Sequence, residues 1–144
     1  MKELRKDTKI ALLMGGPGSE REVSLASGNG VLEALRNEGF THVTPVVVDS
    51  ERPAIPEGTE LCYNIIHGTY GEDGGLQSYL EEIGMPYTGA GSVTSRNCFD
   101  KVLTKKFFIE GHLIGRQGVM KGKQRNSHFH LKWWSDARHE EAHL

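Results

Sequence analysis

Cysteine is scarce in this chain. Cys62 and Cys98 are the only two among 144 residues, and they lie far apart. Their separation fits no metal-ligand spacing. At most one disulfide could form, and two neutral thiols in a reducing cytoplasm are expected. Long apolar runs are missing too. The charged start Met1-Lys2-Glu3-Leu4-Arg5-Lys6-Asp7 is followed by none long enough for export or for a bilayer span. An excess of one charge sign is also absent. The net charge is −2, so no global field points to nucleic acid or to a membrane surface.

What is present suits a soluble globular protein with much loop: 25% charged and 37% hydrophobic residues. The length allows one domain, or one domain with an arm. A chain of this size buries roughly two-thirds of its unfolded surface, so a self-sufficient core is within reach. The composition is uneven. Residues 1–110 hold 11 Lys/Arg and 16 Asp/Glu, while residues 111–144 hold 6 and 3. Five of the seven histidines and both tryptophans also follow residue 110. Such a break divides the chain into two segments of different character.

Along the chain, Lys9 to Met14 is a short apolar run ending at Gly15-Gly16-Pro17-Gly18, which reads as a buried strand. Ser19 and Glu22 form an S-x-x-E capping box, so a helix is expected over 20–38. Val23, Ala26, Gly30, Val31, Ala34 and Leu35 would form its apolar side, and Gly39 would stop it. His42 to Val48 reads as a second strand, placed by Pro45 at a sheet edge or an irregularity. Leu61 to Ile66 reads as a third strand. A glycine-rich loop follows over 67–75, then a short helix over 76–83. Pro86-Tyr87-Thr88 is a short extended piece, and a further helix is expected over 100–110. The fold class is therefore α/β, an open and mainly parallel sheet with helices on both faces. Ligands of such sheets sit beyond the carboxyl ends of the strands. If the first and third strands are close, Glu20 and His67 face one crevice.

Each candidate residue has a functional and a plainer reading. Gly16 opens a dinucleotide-type G-x-G-x-x-G frame, but Arg21 stands where the third glycine belongs, and no Gly-Lys-Ser/Thr phosphate loop is present. A glycine turn feeding a helix is the alternative. Glu20 could accept a substrate ammonium, or only favour the helix dipole by about 0.3–1 kcal/mol. His67 could face a ligand or be a structural hydrogen-bonder. Glu72 and Asp73 lack the further oxygen ligands that calcium needs, and read as loop-closing acceptors. Lys101, Lys105 and Lys106 are either a solvated basic face or include a phosphate contact. His139-Glu140-Glu141-Ala142-His143 matches the H-E-x-x-H zinc pattern, with His128 or His130 as a third ligand. It ends one residue before the last, in a His- and Glu-rich stretch where chance matches come easily, so no metal site is expected.

Four stretches together resemble a known family: KIALLMGGPGSEREVSLAS (9–27), NIIHGTYGEDGG (64–75), GMPYTGAG (84–91) and DKVLTKK (100–106). Their order and separation are similar to the amino-terminal half of the D-alanine–D-alanine ligases, which are ATP-grasp enzymes. The resemblance implies a pre-ATP-grasp, Rossmann-like substrate domain over 1–96, the first helix of the ATP-grasp central domain over 97–110, and an atypical tail over 111–144. It implies that Glu20 binds the ammonium of a first D-alanine and acts in catalysis, that Val23 lines the pocket for its methyl group, and that His67 lies beside the same substrate. It gives Lys101 to ATP phosphate and Glu72 to support of the loop. ATP and Mg would be cofactors, D-alanine the substrate, a homodimer the assembly and the cytoplasm the location, with no nucleic-acid or membrane partner. Beyond residue 110 the resemblance fades, and from Arg125 onward none is seen. That implies a truncated or frame-shifted reading frame, inactive by itself. The competing readings are a non-catalytic fragment that binds D-alanine weakly or not at all, and a dinucleotide binder.

Overall fold

The computed structural model describes residues 4–110. The expectations for residues 111–144, the H-E-x-x-H reading included, lie outside the described residues. Strand β1, Ile10–Gly15, is buried at all six positions. A strand with no polar face has to be central, and it is: β2 (Val43–Val48) and β3 (Leu61–Asn64) flank it in parallel, in the order β2-β1-β3. The register runs Ile10 to Val43 and Ile10 to Leu61. Pro45 lies in the edge strand β2, where a missing amide is tolerated. Beyond β3, Tyr87 pairs with Cys62 through Cys62 N–H to the Pro86 carbonyl (2.8 Å) and Thr88 N–H to the Cys62 carbonyl (3.0 Å).

The two faces of β1 alternate, as the pleat requires. Ala11 and Leu13 enter the main core with Val48, Cys62, Ile66, Tyr70, Leu76 and Leu80. Leu76 and Leu80 come from α2, Gly75–Glu82. The opposite face is covered by α1, Arg21–Asn37, which meets Met14 at Gly28. A Cβ on Gly28 would lie 2.6 Å from Met14 Sδ and 2.7 Å from Met14 Cβ. Contact that close corrects the expected apolar side of α1. Ser24 and Gly28 are its buried residues, while Val23, Ala26, Gly30 and Ala34 point away. Small residues face the sheet because larger ones would lift the helix off β1.

The start of α1 also differs from expectation. Its N-cap is Glu20, and no side chain caps it, so Ser19 and Glu22 form no capping box. The chain turns earlier, with Arg21 N–H meeting the Gly18 carbonyl at 3.3 Å. At the other end Gly39, with φ +86°, carries the helix stop. Strand β3 ends two residues short of expectation because Asn64 Oδ1 accepts the Ile66 amide at 3.0 Å and bends the chain. Helix α3, Ser92–Phe99, was not anticipated. Its polar and small residues carry little periodicity, and its first turn is held from α2. Glu81 accepts Ser92 N–H (2.9 Å), Ser92 Oγ–H (2.6 Å) and Tyr87 O–H (2.6 Å). Helix α4, Lys101–Glu110, follows directly, its first amides capped by Asp100 Oδ1 from Val102 (2.8 Å) and Leu103 (3.1 Å).

Two outcomes follow. Gly28→Ala is expected to lower stability by about 1–3 kcal/mol, since neither helix nor strand can yield freely; urea unfolding measures it, and an unchanged midpoint would contradict the close contact. The hydrogen bonds from Ser92 and then Tyr87 hold the Glu81 carboxyl down at about 2, below the ordinary carboxylate range. Its contribution is thus complete above the unfolded carboxylate pKa and is lost as pH falls through the folded value. Glu81→Gln should flatten the stability profile between about pH 4.5 and pH 2, read by thermal melts in that window.

Candidate functional site

The site grows from the ends of β1 and β3. Both strands finish beside α1, and Ser24 on that helix is fully buried. Its Oγ accepts Gly15 N–H at 2.9 Å and donates to the Ile65 carbonyl at 2.8 Å. One hydroxyl therefore fixes where β1 ends, where the β3 extension ends, and how α1 is rotated against both. Arg21, one turn earlier, donates to the Gly16 carbonyl (3.1 Å) and the Val48 carbonyl (2.8 Å). Its guanidinium is thus committed to two backbone carbonyls at the β1–β2 ends, and a long side chain stands where the dinucleotide pattern wants a glycine.

Glu20 is exposed at the mouth of α1; its carbonyl accepts Ser24 N–H at 2.9 Å, while its carboxylate forms no hydrogen bond or ion pair among the described residues. Its carboxylate lies against the loop after β3: a Cβ on Gly68 would come within 2.8 Å of Oε2. Gly68 also has φ +67°, which favours glycine, whereas the Glu20 carboxylate could swing aside from a Cβ. His67, the preceding residue, turns its imidazole toward the same helix. Its Nε2 is 3.2 Å from Ser27 Oγ, and its Nδ1 is 3.7 Å from Glu72 Oε1. Positions 20, 23 and 27 share one face of α1 at helical spacing. Val23 stands between the carboxylate and the hydroxyl, 58% exposed. Glu20 and Ser27 of α1 thus approach Gly68 and His67 of the loop, and Val23 lies exposed on the same helix face. Lys101 is exposed at the start of α4 and is not among the residues that meet there.

The 67–75 loop is held closed from within. Asp73 accepts the Tyr70 and Gly75 amides, both at 2.9 Å, which is the loop-closing role expected of it. The Gly71 carbonyl accepts Asn64 Nδ2–H (2.9 Å) and Gln77 Nε2–H (2.7 Å). A Cβ on Gly71 would overlap the Ile66 carbonyl. Tyr70 is buried with φ +74°, and its hydroxyl donates to the Glu51 carbonyl. Burial above all pushes that phenol up to about 12. A left-handed tyrosine is costly by roughly 1–3 kcal/mol, and the surrounding hydrogen bonds offset it.

On the far side of His67 lies an open cleft of about 560 Å³. Asn64, Glu72, Gln77, Ser95, Cys98 and Phe99 are among its walls. Neither Glu20, Val23 nor Lys101 lines it. Reading the sequence missed Ser24, Ser27 and Gln77. The two serines sit four and seven residues after Glu20, and that spacing was the available signal. Among the described residues no three His, Cys, Asp or Glu side chains converge as a metal site, and no helix is long and apolar enough to cross a membrane.

The two cysteines differ sharply. Cys62 is buried, and desolvation raises its thiol to about 11, whereas Cys98 is exposed in the cleft wall. Iodoacetamide should label Cys98 in the folded chain and Cys62 only on unfolding, as peptide mass mapping would show. Comparable labelling of both thiols in the native state would contradict the burial.

No protein-family model matches the chain. The D-alanine–D-alanine ligase of Mannheimia succiniciproducens is 49% identical over 103 residues, covering 69% of this chain and 33% of that protein. The chain thus spans about a third of the length of the curated relatives it matches. Among solved structures, a D-alanine–D-alanine ligase from Aeromonas hydrophila superposes with a TM-score of 0.68 at 29% identity, over 84% of this chain and 53% of that one. The Bacillus anthracis D-alanine–D-alanine ligase complexed with ATP gives a TM-score of 0.65 at 30% identity, over 73% and 37%.

Proposed function

Over most of its described length the chain is a homologue of the D-alanine–D-alanine ligases, and on that premise we propose that the crevice between α1 and the 67–75 loop holds the first D-alanine of an ATP-dependent ligation. The observation that carries this reading is the Glu20 carboxylate, free of partners among the described residues and placed where a side chain on Gly68 would point. An uncompensated carboxylate at a crevice mouth is an acceptor for an ammonium. Val23 supplies the apolar surface one turn along for a methyl group. His67 closes the opposite side, on the loop that follows β3.

In the proposed reaction the carboxylate of one D-alanine is phosphorylated by ATP, and the amine of a second D-alanine displaces phosphate to give the dipeptide, a peptidoglycan precursor. This chain's part is to bind and orient the first amino acid. Fixing an ammonium at one end and a methyl group beside it leaves the carboxylate as the free, directed group, which is how positioning lowers the barrier. Lys101, exposed in the first turn of α4, has the charge to meet ATP phosphate. Magnesium finds no set of ligands among the described residues, and no step is assigned through it. A division into a substrate domain over 1–96 and the opening of a second over 97–110, a homodimeric assembly and a cytoplasmic setting belong to the same reading.

Titration of D-alanine into the purified chain, followed by amide and methyl chemical shifts, tests it. Shifts are expected at Val23, His67 and Gly68, weaker by about tenfold or more with Glu20→Gln, since a charge-assisted hydrogen bond is worth roughly 1.5–3 kcal/mol. Silence in both proteins would favour a non-catalytic fragment without affinity for the amino acid.

A further inference from the structure

Ser27 has no part in the proposed chemistry, yet it is half-buried and spends its hydroxyl on one imidazole nitrogen. We propose that Ser27 is a positioning residue that, together with Glu72, locks His67 in a single tautomer and a single ring orientation facing the amino-acid crevice. The argument starts from the donor and acceptor inventory. An ionised carboxylate only accepts, so the ring nitrogen turned toward Glu72 carries the hydrogen. That nitrogen is Nδ1, 3.7 Å from Glu72 Oε1. In the neutral ring Nε2 is then the acceptor, and the group 3.2 Å from it is the Ser27 hydroxyl, which donates. The reverse tautomer would point a lone pair at a carboxylate.

The lock is rigid because its holders are. Ser27 lies one residue short of Gly28, where α1 touches Met14, and three residues past Ser24, which ties α1 to both strand ends. Glu72 rides on the closed loop, its own amide bonded to the Gly68 carbonyl at 2.9 Å. With Nε2 bonded to Ser27 and Nδ1 turned toward the Glu72 carboxylate, His67 offers the crevice a fixed wall rather than a mobile base. The role at the substrate rests on the D-alanine reading; the tautomer itself does not.

Two measurements separate the two claims. Long-range proton–nitrogen correlation spectra of the labelled chain at alkaline pH report the protonated nitrogen of each neutral imidazole, with His67 assigned from His67→Gln. Wild type should show His67 with its proton on Nδ1 alone. Ser27→Ala should move it toward the averaged pattern of an unrestrained ring, and Ser27→Thr, which keeps the hydroxyl, should restore the lock. Unchanged Gly15 and Ile65 amide shifts would show that α1 stays in place. An averaged ring in wild type, or a lock that survives Ser27→Ala, overturns the proposal. D-alanine titration is the second arm. Binding should weaken about fivefold to tenfold in Ser27→Ala, the loss of one hydrogen bond's worth of order. Equal binding by both proteins overturns the role at the substrate. A locked ring in a chain that binds no D-alanine sinks the functional reading, and with it the role at the substrate, while upholding the lock.

Discussion

The Ser24 hydroxyl is the hinge pin of this structure. It is buried, and it joins Gly15 at the end of β1 to Ile65 past the end of β3. Parallel strands have no hairpin to align their ends, so something outside the ladder has to set where each one stops. Here a single side chain on the crossover helix does so. Removing it would leave the buried Gly15 amide unpaired, at a cost of about 1–3 kcal/mol, and free the part-buried Ile65 carbonyl. The site depends on it more than the fold does. Glu20, Val23 and Ser27 inherit their direction from the rotation of α1 about Ser24.

The loop after β3 supplies the other half by a different means. It has little side-chain bulk and many internal hydrogen bonds, with Asp73 and the Gly71 carbonyl as the main hubs. Glycine is obligatory at Gly71, where a Cβ would meet the Ile66 carbonyl, and is favoured at Gly68 by its positive φ. A helix face tied to the strand ends thus stands opposite a loop closed by its own hydrogen bonds. Gln77 Oε1 is the one buried side-chain atom without a partner among the described residues, and it lies behind that loop, where its amide is already committed to Gly71.

Much of this was legible in the residues. The apolar run of β1, the β-branched β2 with its proline, and the glycine punctuation gave a parallel α/β sheet because burial on both faces leaves a continuous hydrophobic signature. Glu20 and His67 were placed in one crevice by topology alone, and their loop and helix do meet. The inward face of α1 was not legible. Its contact with β1 is made by Ser24 and Gly28, so the hydrophobic pattern pointed to the wrong side. The capping signature at Ser19 and Glu22 was misleading for a related reason: the turn at Gly18 and the reach of Arg21 to two carbonyls set the start of the helix instead. Helix α3 escaped notice because its anchor, Glu81, lies on another helix, and no local pattern records such a tether.

Val23 differs from its neighbours in one respect. Arg21, Ser24 and Ser27 nearby on the helix are each tied to a strand end or an imidazole, whereas Val23 is largely open to solvent and holds nothing in place. Folding and ligand fit are therefore uncoupled at this position. A bulkier or slimmer residue there would change the outer surface of α1 while the scaffold tolerated the change, so sequence drift at this position costs the fold little.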